Sequence, residues 1–199
     1  MNSLLDFTFS LLTTPRTAMA YVTGGEKLRE ALMLWLFVVL LCAISAFQEG
    51  PGILAQALAM ALFMGIGILL HSAVTDYISG LWGGRGTAKG ITAGFLAASF
   101  PMAFSVFFSY MDMLGFSDPA GLGGFVIWVW TFYLDMTAIK ENYGFTSGKA
   151  FVINMAPYLL GVLLVILSMA VLIVLATAGI FSAAESVDMQ DLEAVINAL

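Results

Sequence analysis

The stretch His71–Pro101, HSAVTDYISGLWGGRGTAKGITAGFLAASFP, decides how this chain folds. It begins in an apolar segment that carries the only histidine of the chain and an aspartate, Asp76. A glycine-rich basic turn around Arg85 follows, and a second apolar segment then carries small residues at every fourth position. Two apolar segments joined by a short basic turn predict a helical hairpin, around which the other apolar segments are arranged.

The composition indicates an all-α integral membrane protein. Hydrophobic residues make up 61% of the 199 residues and charged residues only 10%, whereas about 25% of the residues of a soluble domain are charged. The few Lys and Arg are spread over several loops, which excludes a nucleic-acid-binding face. Cys42 stands alone in an apolar run and His71 is the single histidine, so no disulfide framework, metal site or cofactor is expected.

Five segments predict transmembrane helices, because about 20 apolar residues cross about 30 Å of hydrocarbon. Pro101 and Pro157 fall inside two of these segments and are the predicted kinks. The predicted spans are 28–48, 53–82, 91–111, 122–139 and 151–181.

Shorter helices are predicted at both ends of a single domain, 1–199. Residues 1–22 are interpreted as an interfacial segment, because their apolar run 3–12 is too short to span and is interrupted by Asp6. Thr14 is predicted as a helix N-cap and Pro15 as the first helical residue. Thr23 and Glu26 then have the spacing of a capping box. The tail 183–199 is predicted to form a short amphipathic helix, on a stripe of Met189, Leu192, Ile196 and Leu199.

The distribution of charge predicts the orientation. Basic residues occur only before the first span, between the second and third, and between the fourth and fifth; the other connections and the tail carry acidic residues alone. Since cytoplasmic loops are rich in Lys and Arg, the N-terminus is predicted to be cytoplasmic and the C-terminus outside. The basic residues are Arg16, Lys27, Arg29, Arg85, Lys89, Lys140 and Lys149.

A polar cluster is predicted within the bundle. His71, Ser72 and Asp76 lie on or beside one face of the second span, and Thr131 and Asp135 share a face of the fourth. At about 1.5 Å per residue, both carboxylates lie about 8 Å inside the cytoplasmic edge, so they can occupy one layer. One interpretation is a proton or cation relay, and the other is hydrogen bonding that locks the helices together.

A ridge of small residues runs from the basic turn into the third span. It consists of Gly86, Gly90, Gly94 and Ala98, which recur at every fourth position. Small residues let helix backbones approach closely in lipid, so this ridge is predicted to be a packing surface. Its partner is either the second span of the same chain or another protomer.

Enzymatic interpretations have little support. The contexts of Asp76 and Asp135 are not those of intramembrane aspartyl proteases, and Ser147 lacks the spacing to a histidine that a serine protease needs. The glycine-rich turn at 83–90 does not contain the GxxxxGK[ST] pattern of a phosphate-binding loop, and no β-strand precedes it. The chain is therefore predicted not to be an enzyme.

Four short motifs resemble those of the Yip family, integral membrane proteins named for interaction with Ypt/Rab GTPases, in its prokaryotic form. They are Thr13-Thr14-Pro15-Arg16, the turn Gly83-Gly84-Arg85-Gly86-Thr87, Ser99-Phe100-Pro101, and the loop from Glu141 through Gly144 to Lys149 and Ala150. The resemblance covers nearly the whole chain and implies five spans.

The resemblance implies a fold and a membrane more than an activity. The predicted role is structural or adaptor-like, in membrane organisation or partner docking, within the plasma (inner) membrane of a prokaryote. The expected partners are the lipid bilayer and either a second copy or another membrane protein. The alternative is a small proton, cation or solute transporter that uses His71, Asp76 and Asp135.

Overall fold

The computed structural model describes residues 4–45, 52–115 and 118–197. These ranges contain helices and connecting turns but no strand, which confirms the predicted all-α class. The α-helices are α1 (Leu4–Thr13), α2 (Pro15–Gly24), α3 (Leu28–Ser45), α4 (Ile53–Leu81), α5 (Ala88–Ala98), α6 (Ser105–Met113), α7 (Pro119–Tyr143) and α8 (Ser147–Asn197).

Four helical stretches are long and apolar enough to cross a membrane. They are Leu54–Leu81, Ala88–Met111, Gly121–Tyr143 and Ser147–Ala178, and they correspond to the last four predicted spans. The first predicted span, 28–48, coincides with α3 only as far as Ser45, beyond which it lies outside the described residues. A count of five spans therefore stays a prediction.

The third span is interrupted at Pro101. α5 ends at Ala98, a 3-10 segment occupies Phe100–Phe104, and α6 then continues to Met113. Proline has no backbone N–H and its ring clashes with the preceding turn, so an α-helix cannot pass through it undisturbed. The predicted break at Pro101 is confirmed. Pro157 lies inside α8, and a kink there stays a prediction.

The N-terminal helices pack deeper than an interfacial segment would. Phe7 and Leu11 of α1 and Met19 and Val22 of α2 are fully buried. α2 packs against both α5 and α7, so one face of it belongs to the core of the bundle. Residue 14 precedes α2 and Pro15 begins it, as predicted. A membrane-interface location for residues 1–22 stays a prediction.

The predicted capping box is wrong. Thr23 lies in the last turn of α2, and its hydroxyl donates a hydrogen bond of 2.8 Å to the Met19 carbonyl. Glu26 has a left-handed backbone with φ of 47°, and its carboxylate binds residues of a distant turn. The Thr23 side chain thus bonds within its own helix, and the Glu26 side chain has the long-range partners Thr87 and Lys89.

α5 lies at the centre of the helical packing. It contacts α2, α3, α4 and α7, and its residues from Gly90 to Ala98 are buried apart from Thr92. Most of these residues are small, and the backbones of four neighbouring helices can therefore approach it.

The chain divides into two compact units, the first running to Pro157 and the second beginning at Tyr158. In the second unit, residues 158–178 form an apolar stretch of α8 whose side chains are exposed. The backbone of α8 continues without a break to Asn197, so the predicted tail at 183–199 is not a separate helix. The side chains of its predicted amphipathic stripe lie outside the described residues, and a single domain stays a prediction.

Candidate functional site

Three segments that are far apart in sequence meet at one end of the first unit. They are the start of α2, the turn 82–87 between α4 and α5, and the connection 140–149 between α7 and α8; we call them the loop cluster. Arg16 Nε donates a 2.7 Å charged hydrogen bond to Glu141 Oε1. Asn142 Nδ2 donates a 3.0 Å hydrogen bond to the Thr87 carbonyl. These bonds join residues 125 and 55 positions apart.

The glycines of the loop cluster are required by its geometry. Gly83 and Gly144 have φ values of 78° and 70°, a left-handed conformation that other residues adopt only at a cost. A Cβ on Gly84 would lie 2.8 Å from the ring of Phe145. That ring stacks on Tyr143 with 5.8 Å between centroids, so the glycine turn closes over an aromatic pair.

Charged side chains on and beside the loop cluster are partly neutralised by one another. Glu26 accepts a 3.0 Å hydrogen bond from the Thr87 hydroxyl and lies 3.2 Å from Lys89 Nζ. The hydrogen bonds from Thr87 and Lys89 lower the pKa of Glu26. Lys149 Nζ lies 5.2 Å from the centre of the Phe145 ring, within cation–π range.

Most residues that resemble family motifs lie in the loop cluster, whereas Pro101 lies within the third span. Those in the loop cluster are Pro15, Arg16, Gly83, Gly84, Gly144 and Lys149. The structure thus brings three of the four motifs together.

Asp76 is hydrogen-bonded to the last residue of α7. Tyr143 donates a 2.7 Å hydrogen bond from its hydroxyl to Asp76 Oδ1, and the Tyr143 side chain is buried. This bond ties α4 to α7 beside the loop cluster. Asp76 thus has a hydrogen-bond partner on another helix.

We expect Tyr143→Phe to lower the free energy of unfolding by about 1.5–3 kcal/mol, because hydrogen bonds to charged groups contribute that much. Thermal melting of the purified protein in detergent measures the loss. Tyr77→Phe is the matched control, since Tyr77 on the same helix as Asp76 is 70% exposed. Equal melting temperatures for the two variants would contradict the role of the Tyr143–Asp76 bond.

The small-residue ridge packs against α7 and α2 of the same chain. A Cβ on Gly94 would lie 2.8 Å from the Cβ of Ala138 and 3.0 Å from Thr23 Cγ2. A Cβ on Gly86 would lie 2.5 Å from Asn142, and one on Gly90 would clash with the same residue. Ala98, the last member of the ridge, is fully buried. The close contacts are with α7 and α2 rather than with the second span.

The predicted polar cluster is only partly assembled. The ring of His71 lies 4.5 Å from that of Phe95 on α5, and Ser72 is buried. Asp135 is 6% exposed, and within the described part of the chain no hydrogen bond or ion pair to it is present. Asp76 is bound to Tyr143 rather than to Asp135.

Buried polar residues that the sequence interpretation missed are Thr75 and Asn154. Both are fully buried, and Asn154 Nδ2 donates a 3.4 Å hydrogen bond to the Phe132 carbonyl on α7. The hydroxyls of Ser72, Thr75 and Thr131 are buried without a hydrogen bond in the described part of the chain. The i, i+3 spacing of Ser72 and Thr75, and an amide within an apolar span, were signals that could have indicated them.

The arrangement offers hydrogen bonds and charges that hold loops and helices in place. Within the described ranges, no three His, Cys, Asp or Glu side chains are grouped so that they could hold a metal ion.

Comparisons with curated proteins and with solved structures give no match. The family model described as the Yip1 domain matches residues 9–170, well over half of the 199-residue chain. The match extends from α1 into α8 and includes the whole loop cluster. Together with the apolar spanning helices, it establishes a multi-pass membrane protein. This chain belongs to the Yip1 domain family.

Proposed function

We propose that this protein is a non-catalytic adaptor of the plasma (inner) membrane of a prokaryote, and that its loop cluster docks a partner on the cytoplasmic side. The observation that carries the proposal is the interlocking of three distant segments into one loop cluster by the Arg16–Glu141 and Asn142–Thr87 bonds. The partner is another membrane protein or a second copy of this chain.

The charge of the loop cluster supports this orientation and the kind of partner. The loop cluster and the residues that flank it, 15–30, 76–90 and 140–149, carry all seven Lys and Arg of the chain but only four of its Asp and Glu residues. Basic loops stay on the cytoplasmic side, which agrees with five spans and a C-terminus outside. A net positive surface attracts a partner with an acidic surface.

Rigidity supports docking as well. The Arg16 side chain is 72% exposed although its Nε is bound to Glu141. Arg85 is exposed between glycines whose positions are fixed by the Tyr143 and Phe145 rings. A surface that is ordered before binding loses less conformational entropy when a partner arrives.

A photo-crosslinking amino acid placed at position 85 tests the proposal in cells. We expect it to give a discrete protein adduct, whereas the same group at Leu114, an exposed residue at the other end of the bundle, should not. Glu141→Gln, which removes the charge of the Arg16 partner but no basic residue, should lower the yield of the adduct several-fold. Salt above physiological concentration should lower it too.

Equal adducts from positions 85 and 114, or an adduct insensitive to Glu141→Gln, would contradict docking at the loop cluster. Adducts to lipid alone from position 85 would contradict it as well.

A second candidate function is a small proton, cation or solute transporter. One observation favours it: Asp135 is buried without a bonding partner in the described part of the chain. Intramembrane ionisable residues often mark ion pathways. Against this candidate, Asp76 already has a bond to Tyr143 that accounts for it structurally.

A further inference from the structure

A cavity of about 720 Å³ lies among α3, α4, the broken third span and α7. Its volume falls within the range of about 300–1,000 Å³ that is typical of ligand sites. Its walls are mostly carbon and sulfur, with side chains that include Met60, Phe63 and Met64 of α4, Met102 of the third span, and Ile127 and Trp128 of α7.

The cavity lies in the half of the bundle away from the loop cluster. α4 and α7 are joined at the loop-cluster end by the bond between Asp76 and Tyr143. Phe63 is 13 residues before Asp76, and Trp128 is 15 residues before Tyr143. At about 1.5 Å per residue, the cavity is therefore about 20 Å from that bond along both helices.

Exposed side chains at the mouth of the cavity lie on stretches that are able to span a membrane. Phe63 is 84% exposed and Trp128 is 51% exposed, although both line the cavity. They lie on stretches that are long and apolar enough to span a membrane. The medium around such surfaces at this depth is the hydrocarbon of the lipid chains.

The residues that line the cavity favour a hydrocarbon ligand over a polar one. The Cys42 thiol, one of its few polar groups, already has partners: the Met102 carbonyl at 3.5 Å and the Ser105 hydroxyl at 3.7 Å. Thr131 also lines the cavity, but its hydroxyl oxygen is buried and is not exposed at the wall. Apolar cavities stay free of water and accept apolar ligands, and flexible methionines fit their shape to a guest.

We propose that this cavity holds one acyl chain of a membrane phospholipid, which enters sideways between α4 and α7. The ligand is identified by its chemistry: a flexible hydrocarbon chain at a depth where the bilayer supplies one. The inference does not depend on docking at the loop cluster, and either proposal can fail without the other.

Two glycines provide a matched pair for the test. A Cβ on Gly124 would meet no atom within 4 Å, and Gly124 lines the cavity, so leucine there projects into the cavity. A Cβ on Gly67 of α4 also meets no atom within 4 Å, but Gly67 is not part of the lining. Both changes place leucine in a helix, and only Gly124→Leu fills the space.

The full-length protein is reconstituted in phospholipid vesicles containing a phospholipid with a diazirine in one acyl chain, and the adducts are mapped by mass spectrometry. We expect the parent and Gly67→Leu to carry adducts on Met60 and Met64. In Gly124→Leu these adducts should fall about tenfold, which corresponds to about 1.4 kcal/mol of binding. Ala59→Leu, at another lining position, serves as the second variant if Gly124→Leu does not fold.

Unlabelled phospholipid should compete with the labelled chain. Competition by a long-chain prenyl alcohol but not by phospholipid would overturn the assignment to an acyl chain. The cavity would be overturned as a site if adducts were as frequent on the exposed residues Leu62 and Leu69 as on the residues that line it. Adducts that are unchanged in both Gly124→Leu and Ala59→Leu would overturn it too. Crosslinks from the lining to a second copy, without lipid adducts, would also overturn it.

Discussion

Gly94→Leu is expected to destabilise the protein strongly. A Cβ at this position would lie only 2.8 Å from Ala138 and 3.0 Å from Thr23, and leucine adds three further carbons beyond it. Overpacking of this kind costs about 1–3 kcal/mol and occasionally more. We expect a lower melting temperature in detergent and a smaller monodisperse fraction in size-exclusion chromatography.

A fall in the melting temperature would be informative, because leucine is a better helix former than glycine by about 1 kcal/mol. On a lipid-facing surface, the same change should therefore raise the melting temperature or leave it unchanged. Gly80→Leu is the matched control, since a Cβ on Gly80 of α4 meets no atom within 4 Å. If Gly94→Leu melts as high as Gly80→Leu, the ridge does not pack against α7 and α2.

Asp135→Asn is expected to fold as well as the parent and to melt at a higher temperature. Asp135 is 6% exposed and no hydrogen bond or ion pair to it is present in the described part of the chain, and asparagine keeps its size while removing an ionisable group that is costly to bury. Burying an unsatisfied polar group costs about 1–3 kcal/mol in proteins. Asp118→Asn is the control, because Asp118 is exposed at the start of α7.

Flux measurements on the same variants separate the two candidate functions. As an adaptor, the parent reconstituted in liposomes with a pH-sensitive dye should give no proton or cation flux above that of empty liposomes. As a transporter, it should give flux that Asp135→Asn and His71→Gln abolish, because each removes an ionisable group within a span. Parent flux that these variants abolish would overturn the adaptor proposal.

Much of the helical framework could be predicted from local sequence. Runs of apolar residues near the length of the bilayer predicted the four spanning stretches that the structure describes. Pro101 predicted the break in the third span, since proline cannot donate the backbone hydrogen bond that an α-helix needs. The ridge from Gly86 to Ala98 predicted close packing because only small side chains let backbones approach.

The partners within that framework could not be predicted in the same way. The sequence indicated that hydrogen bonds of the two aspartates could lock the helices together, but it did not indicate that Asp76 is bound to Tyr143, 67 positions away. Glu26 was assigned to a capping box but pairs with Lys89 and Thr87. Met19 and Val22 of the N-terminal segment are buried in the core, which the local sequence did not indicate; an interfacial location of that segment stays a prediction.

The physical reason is that lipid removes the signal which marks a buried face in water. A helix of a soluble protein shows its core side as an apolar stripe, but a spanning helix is apolar all round, so its sequence does not reveal its rotation. Local sequence was therefore enough to predict that the chain is helical, which stretches are long and apolar enough to cross a membrane, and which loops are basic. Only the tertiary structure decided that Arg16 meets Glu141, that Gly94 meets Ala138, and that Asp135 has no partner in the described part of the chain. Those contacts depend on how each helix is rotated against its neighbours.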